Sequence, residues 1–357
     1  MDWWMILATV LLVCIGLMMI YSTVQDTGST QITKQIVAFG IGIILVFLLV
    51  FLDYRVFSHN AYLIYTLSLG LLIFVLFLGQ NIRGMKGWFN FGFFQFQPSE
   101  FAKIALIIAL ARYFSKRQGR PHHIKDIAIS GALTLGMCGL IVLEPDFGSA
   151  LVLCGVWLFM LLFFGIKKIH GFLLGLAFII FGFMSWKFFL VDYQKERILS
   201  FLRPEGSLKD ASWNMIQSKV AIGSGGLLGR GLGHGPQSQL AFLPEQHSDF
   251  IIASIAEELG FLGGILILGL FLFLIIRIIR VMKLSRDEFG LMLCAGGAFL
   301  FTLQIFISIG MNTGLLPVVG IPLPLISYGG SSLVFSLIIL GLVQSVMVRH
   351  KGLRFEV

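Results

Sequence analysis

Apolar stretches long enough to cross a hydrocarbon layer of about 30 Å recur along the whole chain, and they restrict its fold more than any single motif does. Lipid offers no partner to a backbone amide or carbonyl, so each such stretch is read as a helix that bonds within itself. Residues 3-21, 36-52, 61-79, 99-114, 127-143, 147-166, 169-190, 249-276, 289-311 and 327-348 qualify, which makes about ten transmembrane helices. The expected fold class is therefore all-α, a polytopic membrane protein in which residues 1-357 form a single integral membrane domain. Composition agrees: 57% of residues are hydrophobic and 12% charged, and the mean hydropathy of +0.92 lies outside the range of soluble domains. The first stretch lacks the basic leader and small-residue cleavage site of a signal peptide and is kept as a span. Cys14, Cys138, Cys154 and Cys294 all lie in apolar segments without C-x-x-C spacing, so they read as packing residues rather than redox or zinc ligands.

An even number of spans places both termini on one side, and loop charge decides which. The loops after even-numbered spans carry Arg55; Arg112, Lys116, Arg117, Arg120 and Lys125; Lys167 and Lys168; then Arg277, Arg280, Lys283 and Arg286. The opposite short loops carry only Lys34, Arg83 and Lys86. Both termini are expected to be cytoplasmic. The net charge of +8 follows largely from this bias, so it argues for contact with membrane lipids and gives no support to nucleic-acid binding. One loop is out of proportion: residues 191-248, between spans seven and eight, expected on the outer face. Glycines at 223, 225, 226, 229, 231, 233 and 235 oppose a regular helix there, while the apolar residues between them oppose a solvated linker. A folded loop lying against the membrane is expected.

The chemistry-bearing residues gather around that loop. In "FLPEQHSDFIIASIAEELGF", Asp249 stands where loop meets span, and Ser248 or Asp249 is expected to cap the helix that follows. Glu257 lies about 12 Å deeper, where an ionisable group is either functional or paired with a base on a neighbouring helix. In "QFQPSEFAK", Pro98 suits a helix start, Ser99 can help cap it, and Glu100 and Lys103 share a face as a local ion pair or a binding pair. Upstream, "RGMKGWFNFGFF" places Arg83, Lys86 and Trp88 at the outer interface. "LEPDFGSA" makes a short outer turn in which Asp146 forms the turn or faces a cavity. "YQKERILSFLRPE" offers Lys195, Arg197 and Arg203 to a phosphate or to lipid headgroups. "LLPVVGIPLPLISYGGSS", which contains Ser327, is broken by prolines and needs shelter from protein or a polar cavity. His234 and His247 belong to no metal-ligand spacing, and no phosphate-loop motif points to a bound nucleotide. Composition alone favours a transporter. The outward clustering of acids and bases, with no row of them through the bilayer, favours an enzyme acting on a phosphorylated, membrane-tethered substrate.

Several motifs resemble those of the SEDS family (shape, elongation, division and sporulation) of bacterial cell-wall synthesis. They are "QPSEFAK" at 97-103, "EPDFGSA" at 144-150, "ERILSFLRPE" at 196-205, "IGSGGLLGRG" at 222-231, "FLPEQHSDFIIASIAEELG" at 242-260 and "PLPLISYGGSS" at 322-332. Span number and the long seventh loop agree, so the likeness covers nearly the whole chain, and within the family it is nearest the elongation members. Two positions depart from the usual pattern: Gly87 stands where a basic residue commonly precedes the tryptophan, and Glu144 where glutamine commonly opens the turn.

The resemblance implies a peptidoglycan glycosyltransferase of the bacterial inner membrane that polymerises lipid II at an outward-facing site, beside a class B penicillin-binding protein. It implies Asp249 as general base, and Glu100, Lys103, Asp146, Arg197, Lys86, Trp88 and Ser327 as substrate-binding residues. Lys103, Arg197 or a divalent cation, magnesium or manganese, would stabilise pyrophosphate, and the glycine-rich loop would offer backbone amides to the saccharide or phosphate. Two other readings remain open at this point: a lipid II flippase, in which Glu257 matters more than Asp249, and a scaffold that only activates the penicillin-binding protein.

Overall fold

A computed structural model describes residues 1–23, 29–82, 85–92, 95–117, 124–184, 186–187, 195, 199, 201, 210–240, 242 and 245–350. In chain order the described elements are helices α1 (Trp3–Thr23), α2 (Ser29–Phe51), α3 (Tyr54–His59) and α4 (Ala61–Leu78), then strands β1 (Gln80–Ile82), β2 (Met85–Asn90) and β3 (Gln95–Phe96). There follow α5 (Pro98–Ser115), α6 (Ile124–Leu143), α7 (Phe147–Phe164), α8 (Lys168–Met184), α9 (Asp210–Ser224), α10 (Pro236–Gln239), α11 (Ile251–Leu284), α12 (Glu288–Thr313) and α13 (Gly330–His350). Among the described residues, 8 helices are long and apolar enough to cross a membrane. The other two expected spans coincide with α5, which carries Glu100, Lys103 and Arg112, and with α8, described over 17 residues.

The bundle is built around α12 and α13, whose most apolar windows are 72% and 83% buried, against 28% for α2 and α4. The outer helices therefore keep apolar faces such as Phe47, Phe51, Leu63 and Phe77 turned outward. Such faces suit a lipid solvent, in which apolar exposure costs nothing. Small residues let outer helices approach the centre: a Cβ on Gly42 of α2 would meet the Leu337 side chain on α13, and one on Gly16 of α1 the Ile326 carbonyl at 2.6 Å.

A small sheet departs from the all-α expectation, and one helix stands where none was expected. Residues 80–82, 85–90 and 95–96 form a three-stranded antiparallel sheet in the order β1-β2-β3, with Gln80 opposite Trp88 and Phe89 opposite Phe96. An aromatic row fixes it to the bundle, from Phe74 on α4 through Phe89 and Phe96 to Phe335 on α13, with ring centroids 5.8, 6.4 and 5.8 Å apart. The long loop contains the 15-residue helix α9, whose buried Ser218 donates to the Asn312 carbonyl at 2.7 Å. Sequence reasoning placed no helix there; α9 ends at Ser224, where the glycine run begins.

α11 is broken at Gly260, which adopts φ 70° and ψ −169°, a conformation outside the reach of residues with a Cβ. The glycine-rich segment closes the break. Amides of Arg230 and Gly231 donate to the carbonyls of Glu257 and Glu258 at 3.0 Å each, and the amides of Phe261 and Leu262 donate back to Gly226 and Leu227 at 3.0 and 3.2 Å. The backbone groups that a broken helix exposes are thus satisfied by another stretch of chain, as an apolar setting demands.

Candidate active site

Asp249 sits in a turn held by the Glu245 carbonyl, which accepts from the amides of Ser248, Asp249 and Phe250 at 3.1, 3.1 and 3.3 Å. The expected cap is not formed by Ser248 or Asp249: Phe250 occupies the cap position without a side-chain bond, and the Ser248 hydroxyl turns back to Glu245. The cap comes instead from α12. Asn312 Oδ1 accepts from the Ala253 amide at 3.3 Å, and its Nδ2 donates to the Asp249 carbonyl at 2.9 Å. A single buried amide therefore fixes both the start of α11 and the main chain of Asp249.

The proline-rich segment lies against this turn. Ser327, buried, donates from Oγ to the Ser248 carbonyl at 2.6 Å and accepts from the Leu323 amide at 2.9 Å. The Tyr328 amide donates to the His247 carbonyl at 2.8 Å. Gly320, at φ +73°, passes so close that a Cβ there would stand 3.4 Å from Asp249 Oδ2. One residue earlier, the Val319 carbonyl faces Gly148, where a Cβ would meet it at 2.8 Å and Asp146 Oδ1 at 3.7 Å. One short run of backbone thus has Asp249 on one side and the Asp146 turn on the other.

Asp146 caps α7 by accepting from the Ser149 amide at 2.9 Å, and also accepts from Ser99 Oγ at 3.2 Å and Gln97 Nε2 at 3.3 Å. Ser99 therefore serves Asp146 and does not cap α5, whose cap residue Gln97 makes no side-chain cap bond. One turn further along α5, Lys103 Nζ donates to Glu100 Oε1 at 2.8 Å with both residues buried, so the local ion pair is the arrangement found. Lys86 projects, exposed, from β2 and Trp88 is half-buried beside it. Between them Gly87 faces the turn, where a Cβ would lie 3.3 Å from Glu144 Oε2. The structure thus gathers Asp249, Ser327, Asp146, Glu100, Lys103, Lys86 and Trp88 around one end of the bundle; Arg197 lies outside the described residues.

Two sequence expectations are corrected. Among the described residues Glu257 pairs with no base: it accepts from the amides of Gln237 and Ser238 at 2.9 and 3.0 Å and from Ser238 Oγ at 2.6 Å, which makes it the cap of α10. Its neighbour Glu258 accepts from Ser22 Oγ at 2.6 Å. Of the glycine-rich loop expected to offer amides to a saccharide or phosphate, the amides of Arg230 and Gly231 are spent on the break in α11. Sequence reasoning also missed Gln35. This buried amide on α2 donates to the Ser327 carbonyl at 3.2 Å and accepts from the Gly329 amide at 3.2 Å, and the available signal was a glutamine one turn after Gln31, at the edge of an apolar run. Ser331 continues the link by accepting from the Gln97 amide at 2.9 Å and donating to the Gln95 carbonyl at 2.7 Å.

Glu144 is 1% exposed and its Oε1 has no hydrogen-bond partner among the described residues. Burial, and then the charge of Asp146, push its carboxyl up from 4.5 to about 8. At neutral pH it is a neutral acid in the shape of a glutamine side chain. The folded chain keeps a proton that the unfolded chain releases, so stability is greatest below about 4.5 and falls as pH rises to about 8. Glu144→Gln is expected to remove that slope, measured as melting temperature against pH.

Comparisons with known proteins agree with this architecture. Residues 2–352 match the FtsW/RodA/SpoVE family of cell cycle proteins. The peptidoglycan glycosyltransferase MrdB of Escherichia coli is 36% identical over 355 residues, covering 97% of this chain and 94% of the relative. A chain of a peptidoglycan synthase complex that coordinates polymerization and crosslinking superposes with a TM-score of 0.84 at 33% identity over 98% of both chains. The rod shape determining protein RodA of Thermus thermophilus superposes with a TM-score of 0.73 at 30% identity, over 98% of this chain and 97% of that one. The match extends from the first helix to the last and takes in both carboxylate turns and the proline-rich segment between them, so the chain belongs to the FtsW/RodA/SpoVE family of cell cycle proteins.

Proposed function

We propose that this chain is a peptidoglycan glycosyltransferase that polymerises lipid II during cell elongation, with Asp249 as its general base. The activity is the one its curated relative is named for. The observation that carries the site is the backbone at Val319 and Gly320, which brings Asp249 and the Asp146 turn to its two sides. In the reaction, the 4-hydroxyl of the acceptor sugar attacks the anomeric carbon of the donor. As that bond forms, the bond to the pyrophosphate oxygen breaks, the electron pair leaves with the polyprenyl pyrophosphate, and the hydroxyl proton passes to Asp249. An α-linked donor then gives a β-1,4 product in one inverting displacement, which requires a base on one side and positive charge on the other.

Lys86, exposed on β2, is the cation that can meet the leaving group directly, with Arg197 joining it from the outer loop. Lys103 is already bonded to Glu100 on the same helix, whose first turn carries the Ser99 and Gln97 that orient Asp146. Lys103→Met alone would strand a buried carboxylate at a cost of about 3–5 kcal/mol, whereas Lys103→Met with Glu100→Gln should recover most of that stability. Thermal unfolding of the parent chain and these two variants tests this. A magnesium or manganese ion arriving with the pyrophosphate would add positive charge at the leaving group; among the described residues no group of three or more His, Cys, Asp or Glu is placed to hold one. No nucleotide is required, because the donor carries its own leaving group.

The loop charges support ten spans with both termini in the cytoplasm, so the Asp249 end faces outward from the inner membrane. A class B penicillin-binding protein is the partner that fits, in line with the synthase complex of the structural neighbour. The purified chain, alone and with that partner, is to be incubated with labelled lipid II with and without divalent cation. Glycan strands are expected. Movement of lipid II across vesicles without polymer would favour a flippase, and no polymer under any condition would favour a scaffold.

A further inference from the structure

A second site lies at the far end of the bundle. α12 starts beside it with Glu288 and Phe289 and ends at Asn312 on the Asp249 turn. Its 26 residues, at 1.5 Å each, put the two sites about 39 Å apart. Here α3, the last turn of α5 and the turn between α11 and α12 frame an open cavity of about 520 Å³ lined by Arg55, Ser58, His59, Arg112, Ser115 and Arg286. That volume falls in the range of about 300–1,000 Å³ usual for small-ligand sites.

Charge and geometry favour an anion. Three guanidinium groups and a histidine face two carboxylates, Asp287 and Glu288. Asp287 is committed elsewhere: it caps α12 by accepting from the Gly290 amide and accepts a short bond from the Tyr54 hydroxyl. Arg112, half-buried, is held in place by donating to Ser58 Oγ at 3.1 Å, and Arg55 lies over the Tyr54 ring at 5.8 Å from its centroid. Guanidinium groups with fixed planes suit phosphate oxygens better than they suit a spherical halide. Beside the cavity Phe51, Leu52 and Val56 are 81%, 50% and 49% exposed, an apolar margin that acyl chains would cover.

We propose that this cavity binds a phosphate group, either the headgroup of an anionic phospholipid or a soluble phosphate. The site is separate from the reaction centre, and its occupant bears on the same α12 that holds Asp249 at its other end.

The purified chain in neutral detergent is to be mixed with phosphatidylglycerol or phosphatidylcholine, and the retained lipid counted by native mass spectrometry. In parallel, inorganic phosphate is titrated against the melting temperature. Retention of phosphatidylglycerol over phosphatidylcholine is expected, with a loss of about fivefold for each arginine removed in Arg55→Gln and Arg286→Gln. These two side chains are exposed, so the variants keep the test open should Arg112→Gln fail to fold. A phosphate-dependent rise in melting temperature without lipid preference, lost in the same variants, assigns the site to a soluble phosphate. Equal retention of both lipids with no phosphate effect, or unchanged retention in the variants, overturns the proposal.

Discussion

Asp249→Asn is expected to lower lipid II polymerisation by about 10²–10⁴-fold, the usual worth of a positioned general base. The amide is nearly isosteric with the carboxylate but cannot take the acceptor's proton. The fold should survive the change, because two main-chain bonds hold this turn whichever side chain stands there: the Asp249 amide donates to the Glu245 carbonyl, and its carbonyl accepts from Asn312. Loss of rate with an unchanged melting temperature and unchanged partner binding is therefore the expected pattern. A normal rate of glycan synthesis by the purified variant would remove Asp249 from the chemistry. Asn312→Ala supplies the complementary case. It leaves the carboxylate intact while freeing the turn, so it should cost both stability and rate, and by less in rate than the loss of the base itself.

Gly225→Ala is expected to cause the largest loss of stability of any single methyl addition in the outer loop. A Cβ there would lie 1.8 Å from the Ala256 carbonyl oxygen and 3.0 Å from Glu257 Cα. Both are backbone atoms of α11, so no side-chain rotation relieves the clash. The loop would have to lift away and give up the four backbone bonds that close the break at Gly260. Overpacking costs about 1–3 kcal/mol and each stranded backbone group about as much again. The measurable result is a fall in melting temperature of about 10 °C or more, or no folded protein in the membrane. Gly223→Ala is the control: it lies in α9 with nothing within 4 Å of the added methyl, and should be neutral or slightly stabilising.

The apolar spans could be read from the sequence because hydrophobic length is a local property. What sequence reasoning missed depended on partners distant in the chain. The sheet at residues 80–96 has strands of 3, 6 and 2 residues, too short to show an alternating pattern, and its aromatic side chains looked like interface anchors. The cap of α11 comes from Asn312, 63 residues beyond Asp249, so the nearby Ser248 and Asp249 were the wrong place to look. Glu257 was seen to be unusual for its depth, yet only the fold shows it capping α10. The motif "QPSEFAK" was legible as a helix start with Glu100 and Lys103 on one face, while the bond from Ser99 to Asp146 required two distant turns to meet.

The joint between the glycine-rich segment and the broken helix is made almost entirely by main-chain groups. Such a joint fixes where glycine must stand and says little about what stands between. Leu227 and Leu228, 70% and 79% exposed, contribute their carbonyl and backbone path while their side chains point away. Across diverging relatives this region should keep its glycines in register and let the residues between them drift, so that evolution can change the outer surface of the loop without disturbing the helix beneath it.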